Sequence, residues 1–245
     1  MSSPAEISFS KAARCYRQYA GVQTAMADWL AEWAPEERSG AALEIGAGTG
    51  LLTERLLPWK GSYVATDVSP QMCAEGRREF PQVEWQTTSA EAALAGPWDW
   101  IFSSSMAQWL EDPAAVFKTW KRHLSPEGRI VAGLFVAGSL PELRALTAGW
   151  APLTWRAPAE WERALHAAGL TLVRSETVER VFWYPSALEL LRSLHRVGAS
   201  PVRRYNAGEL MKVLARYEAQ FRKETQVKST WKFYRFEARG NAPGF

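Results

Sequence analysis

The segment Leu43-Glu44-Ile45-Gly46-Ala47-Gly48-Thr49-Gly50 sets one carboxylate beside three closely spaced glycines. Glycines at this spacing let a backbone turn tightly and approach a ligand closely. Such a loop, between a strand and a helix, lies at the carboxyl edge where doubly wound sheets bind ligands. Asp67 follows Gly46 by 21 residues, where an acid accepts the ribose hydroxyls of an adenosine-type ligand. Two ligand classes share that geometry. The dinucleotide fingerprint reads GxGxxG, whereas this loop reads GxGxG with Leu51 at the third glycine's place, and Glu44 would repel a pyrophosphate. A carboxylate there suits a ligand carrying a sulfonium and an α-ammonium group, which points to S-adenosylmethionine. The alternative is a plain glycine turn with a solvated Glu44.

These residues need a scaffold, and the chain alternates in the way that supplies one. Phe9–Trp33 reads as a helix, with Tyr16, Tyr19, Val22, Met26, Trp29 and Leu30 at three- and four-residue spacing. Strands are predicted over 41–45, 62–68, 83–88, 98–103 and 129–136, and helices over 51–57, from Ser69-Pro70, and over 111–124. Ser69 is placed as an N-cap ahead of Pro70. Further on come a helix over 158–168, an extended segment over 170–184, a helical stretch over 187–222 and a last strand over 228–238. The pattern predicts an α/β fold: a doubly wound, mostly parallel sheet with an N-terminal helix and a helical cap inserted before the last strand. One domain of 245 residues is expected. It divides into an N-terminal helical segment (1–40), a cofactor half (41–137) and a substrate-side half (138–245) with a helical lobe at about 186–223.

Further residues fall beside the glycine loop in this scheme. Val68 follows Asp67, and Ser89 and Ala90 close the third strand. Ser103 ends the fourth strand, ahead of Gln108 and Trp109. The third-strand end resembles that of class I methyltransferases, with Ser89 at a position where those enzymes usually carry an Asp near the adenine. Ser125-Pro126-Glu127-Gly128 is similar to their Pro-Gly-Gly turn, with Glu127 replacing a glycine.

Four segments narrow the resemblance: Phe9-Ser10-Lys11-Ala12-Ala13-Arg14-Cys15-Tyr16, Gln108-Trp109, Gly138-Ser139-Leu140-Pro141-Glu142-Leu143, and Ser193-Leu194-His195-Arg196-Val197-Gly198-Ala199. Together they resemble the malonyl-acyl-carrier-protein O-methyltransferases of biotin synthesis. The resemblance implies methyl-ester formation on the free carboxylate of malonyl-acyl carrier protein or malonyl-CoA, giving the ester that primes pimeloyl synthesis, with S-adenosylhomocysteine as by-product. It assigns Glu44, Gly46, Ala47, Gly48, Gly50, Asp67, Val68, Ser89, Ala90 and Ser103 to the cofactor. Tyr16, Gln108, Trp109 and Arg156 are assigned to the acyl site, with Arg156 gripping the carboxylate through its planar guanidinium. A malonyl carboxylate is already ionised at neutral pH, since carboxylates titrate near 4. The lack of a His/Asp dyad therefore fits this chemistry. Another small-molecule acceptor and a non-catalytic S-adenosylmethionine-binding protein are the competing readings.

Composition bounds the rest. With 47% hydrophobic and 22% charged residues the chain reads as an ordinary globular protein. Two cysteines (Cys15, Cys73) and three histidines form no ligand cluster, so no metal is expected and a reducing, cytoplasmic setting is. No apolar run approaches the roughly 20 residues a membrane span needs. The net charge of +3 argues against nucleic acid, but 186–223 carries eight Arg and Lys against three Glu. Acyl carrier protein is acidic, so Arg192, Arg196, Arg203 and Arg204 are the expected docking residues, on a protein expected to be monomeric.

Overall fold

The computed structural model describes residues 13, 16–92, 94–147, 155–197 and 206–240. Its first helices are α1 (Tyr16–Tyr19) and α2 (Gly21–Ala31). The continuous helix expected up to Trp33 is thus interrupted: Ala20 leaves helical geometry (φ −86°, ψ 32°) just ahead of Gly21, a residue with low helix propensity. Then follow β1 (Ala42–Ile45), α3 (Leu51–Leu56), β2 (Tyr63–Asp67), α4 (Pro70–Glu79) and β3 (Glu84–Thr87). Ser69 caps α4 as expected, its Oγ accepting from the Met72 N–H at 3.2 Å. Next come β4 (Trp98–Ser104), a 3-10 turn at Ala107–Trp109, α5 (Pro113–Arg122) and β5 (Leu124–Phe135). The expected Ser125–Gly128 turn lies inside β5 as an irregularity, the register on β4 jumping from Trp98↔Leu124 to Trp100↔Arg129.

The second half holds α6 (Pro141–Leu146), α7 (Pro158–Ala167), β6 (Leu170–Tyr184), α8 (Ala187–Arg196), α9 (Ala207–Phe221), the two-residue β7 (Arg222–Lys223) and β8 (Gln226–Gly240). The single helical stretch expected over 187–222 is therefore at least two helices. Asn206 starts the second: its Oδ1 accepts from the Glu209 N–H at 2.9 Å, and Glu209 Oε2 accepts from the Asn206 N–H at 3.3 Å. Of the motif residues, Phe9–Ala12, Arg14, Cys15, Gly198 and Ala199 lie outside the described residues, as do Arg203 and Arg204.

The sheet order is β3-β2-β1-β4-β5-β8-β6. Pairing is parallel from β3 to β5, and β8 runs antiparallel to both β5 and β6. The chain leaves β1 in one direction to reach β2 and β3, then returns to place β4 on its other side. That reversal opens a crevice at the carboxyl ends of β1 and β4. Helices cover both faces. Phe117, Trp120 and Trp161 from α5 and α7 pack with Ile101, Ile130 and Phe236 on one side. Leu30 and Leu52 pack with Ala65, Phe102 and Val131 on the other. No helix among the described residues is long and apolar enough to cross a membrane.

Candidate active site

The crevice is a cavity of about 380 Å³. The glycine loop forms its floor. Gly46 (φ +71°) and Gly48 (φ +58°) adopt left-handed backbone that favours glycine. A Cβ on Gly46 would collide with the Met106 side chain, whereas one on Gly48 would stand in open space within the cavity. Gly50 (φ +89°) does not line the cavity; it starts α3, and its missing Cβ makes room for the Phe80 ring.

Two carboxylates flank the loop. Glu44 is 1% exposed, and its Oε2 accepts from Thr53 Oγ1 and Tyr63 Oη, each at 2.6 Å. Burial pushes its pKa up to about 7, the two hydroxyl donors opposing the shift. Asp67, at the end of β2, accepts from the Gly48 N–H at 2.9 Å and the Ser69 N–H at 2.8 Å. Burial raises its pKa as well, against those backbone bonds. Each carboxylate oxygen of Asp67 retains a lone pair, so it can still receive hydroxyl donors.

The structure brings most of the sequence-assigned residues to this cavity. Tyr16, Glu44, Gly46, Ala47, Gly48, Asp67, Val68, Ser89, Ala90 and Trp109 line it. Burial raises the Tyr16 phenol pKa, and the Asp67 charge adds to the effect, so the hydroxyl keeps its proton. Other assigned residues stand behind the wall. Ser103 Oγ donates to the Ile45 carbonyl at 3.0 Å, tying β4 to β1. Gln108 Nε2 donates to the Ser105 carbonyl at 2.6 Å. Arg156 bonds the Leu110 and Glu111 carbonyls at 2.9 and 2.7 Å and lies over the Trp161 ring. It does not line the cavity; it pins the segment of which Leu110 is part.

In the lobe, Arg192 pairs with Glu189 at 2.6 Å, and Arg196 lies 4.1 Å over the Tyr19 ring. Among the described residues, no lobe side chain lines the cavity. The lobe meets the site through α1 instead, which Arg17 fastens to Glu54 and the Gly50 carbonyl. Sequence reasoning missed Gln23, Leu52, Met72 and Leu110 as lining residues. For Gln23 a signal existed: it is polar, yet it shares the helix face of Tyr16, Tyr19, Met26 and Leu30.

Comparison with known proteins bears on the site's chemistry. A methyltransferase-domain model matches residues 43–130, which span β1 to β5 with the glycine loop and Asp67. The chain carries a methyltransferase domain. Its architecture is that of class I methyltransferases: a putative methyltransferase structure from Bacillus halodurans superposes with TM-score 0.65 at 13% identity, over 88% of this chain and 98% of the other. The chain is 28% identical to the malonyl-[acyl-carrier protein] O-methyltransferase of Marinomonas sp. (strain MWYL1), over 78% of this chain and 75% of the relative. A trans-aconitate 2-methyltransferase from Azoarcus sp. (strain BH72) is 34% identical over a shorter stretch, 46% of each chain. This protein is thus a methyltransferase, and S-adenosylmethionine is its methyl donor. The lining fits that cofactor: open glycine backbone at Gly48, a ribose-type acceptor in Asp67 and a buried acid, Glu44, for a cationic group.

Proposed function

We propose that this methyltransferase acts on the free carboxylate of a malonyl thioester, carried by acyl carrier protein or by coenzyme A, and yields the methyl ester. The observation that carries this reading is similarity to a malonyl-[acyl-carrier protein] O-methyltransferase along 78% of the chain, joined to a cavity suited to an acceptor that needs no deprotonation. When bound, S-adenosylmethionine supplies a methyl group activated by its sulfonium. The protein's own contribution is to hold and orient. Asp67 and the Gly46–Gly48 backbone seat the nucleoside side, and Glu44 faces the cationic amino-acid side. Tyr16 and Trp109 form walls that keep water from the reacting end. Gln108 and Arg156 brace the Ser105–Glu111 segment from behind. Arg192 and Arg196 belong to the basic lobe beside α1, and we place the docking of an acidic carrier there.

Purified protein, methyl-labelled S-adenosylmethionine and malonyl-acyl carrier protein test the proposal, with acetyl-acyl carrier protein as control. Base-labile label on the malonyl carrier alone is the expected result. Reversing charge at Arg192 and Arg196 should raise the KM for the carrier-bound substrate and spare malonyl-CoA. Label on neither carrier, but on small polycarboxylic acids, would reject the acyl substrate and leave the methyltransferase standing.

A further inference from the structure

The expected clamp for an acceptor carboxylate, Arg156, is committed to two backbone carbonyls. Among the described residues, the cavity lining holds no Arg, Lys or His; its ionisable members are the acids Glu44, Asp67 and Glu91, and Tyr16. Among the described lining residues, the donors available to a carboxylate are neutral.

Gln23 stands out among the candidates. It lines the cavity, is 9% exposed, and is the one side-chain amide among the described lining residues. An amide at a cavity wall offers two N–H donors to a bound carboxylate. Its place in the cavity follows from its helix. Met26, one turn further along α2, packs on Gly133 of β5, whose carbonyl accepts from the Ser105 N–H at 2.8 Å. These contacts bring the α2 face that carries Gln23 towards the Ser105 side of the cavity, which Tyr16 also lines.

We propose that the Gln23 side-chain amide, seconded by the Tyr16 hydroxyl, is the carboxylate-orienting group for the acceptor. This rests on the acyl-carboxylate reading above. A neutral donor suits the chemistry better than a guanidinium. The acceptor oxygen loses its negative charge as the new C–O bond forms. A cation would hold the charged ground state more tightly than the transition state and so raise the barrier. An amide N–H orients the carboxylate with less of that penalty. Gln23 is thus a binding and orienting residue and takes no proton.

The test compares Gln23→Leu and Gln23→Glu with wild type in three measurements. These are the KM for malonyl-acyl carrier protein, and the dissociation constants of S-adenosylhomocysteine and 5′-methylthioadenosine by calorimetry. Loss of a hydrogen bond to a charged group predicts a KM raised roughly ten- to hundredfold in Gln23→Leu, and more in Gln23→Glu, where a second carboxylate repels the first. Both dissociation constants should stay within about twofold of wild type, which also shows that the variants fold. Unchanged KM in both variants overturns the assignment. So does weakened S-adenosylhomocysteine binding with 5′-methylthioadenosine spared, since that gives the amide to the cofactor's own carboxylate. Equal weakening of both nucleosides reduces Gln23 to a structural role and overturns it too. Absence of wild-type turnover on malonyl-acyl carrier protein would take down the acyl reading along with this one. Turnover with an unmoved KM would take down this one alone.

Discussion

Glu44 is held by two hydroxyl donors in a place that water barely reaches, and burial still outweighs them: its pKa rises from 4.5 to about 7. Between those values the folded protein keeps a proton that the unfolded chain releases. Stability of the ligand-free protein therefore falls as pH rises through this window, by at most about 3 kcal/mol for this one group. Asp67, also raised by burial, tilts the slope in the same direction. A cationic ligand reverses the balance by favouring the ionised carboxylate. Binding of S-adenosylmethionine at pH 6.5 should thus release protons, seen as a binding enthalpy that changes with the ionisation heat of the buffer. Glu44→Gln should bind the cofactor more weakly, release fewer protons and melt at a temperature that depends less on pH. A pH-independent wild-type melting temperature between pH 5 and 7.5 would contradict this account.

The helices and strands differ in how they position these residues, and that difference governed what could be read from the chain. The parallel strands are short apolar runs ending in turn chemistry, so β1, β2 and β4 fall within a residue or so of expectation, and with them Glu44, Asp67 and the glycine loop. Helix continuity was harder. The apolar spacing through Tyr19 and Val22 runs across the break at Ala20, where Gly21 is a single weak sign, and the second lobe helix starts at Asn206, whose cap is local and weak as a signal. Side-chain direction was least legible of all. Nothing in Thr154-Trp155-Arg156-Ala157-Pro158 foretells that the guanidinium turns onto the Leu110 and Glu111 carbonyls, because those partners lie more than 40 residues away. On the proposed function, Arg156 bears on the acceptor through the segment it pins. Arg156→Ala should lower kcat/KM for the acceptor about tenfold or more and leave the cofactor's dissociation constant nearly unchanged. Arg156→Lys, with one point charge in place of a planar fork, should recover little of the loss. Full activity in Arg156→Ala would remove the residue from the site altogether.

Across the whole molecule, the last strand of the chain anchors the second helix. Arg235 of β8 is nearly buried between the Trp29 and Trp33 rings, with its guanidinium 4.1 and 4.3 Å from their centroids. It donates to the Trp29 carbonyl and pairs with Glu32 at 3.0 Å and with Glu176 of β6 at 2.6 Å. The end of α2 is thereby fixed to the antiparallel edge of the sheet, while Gln23, about two turns earlier, reaches the cavity. Removing Arg235 would not strand a buried charge, because Glu32 and Glu176 are 62% and 42% exposed and can be rehydrated. The loss is that of stacking, packing and hydrogen bonds, about 2–3 kcal/mol rather than the larger cost of an orphaned buried ion. Arg235→Ala should therefore lower the urea midpoint with the slope unchanged. Arg235→Lys should restore less than half of the difference, since an ammonium neither stacks flat between two indoles nor spans the Trp29 carbonyl and both acids. Below the transition both variants should still bind S-adenosylhomocysteine, because the cofactor floor belongs to β1 and β2. The acceptor KM should drift upward as α2 loosens. An unshifted midpoint in Arg235→Ala would mean that α2 is held by its apolar face alone.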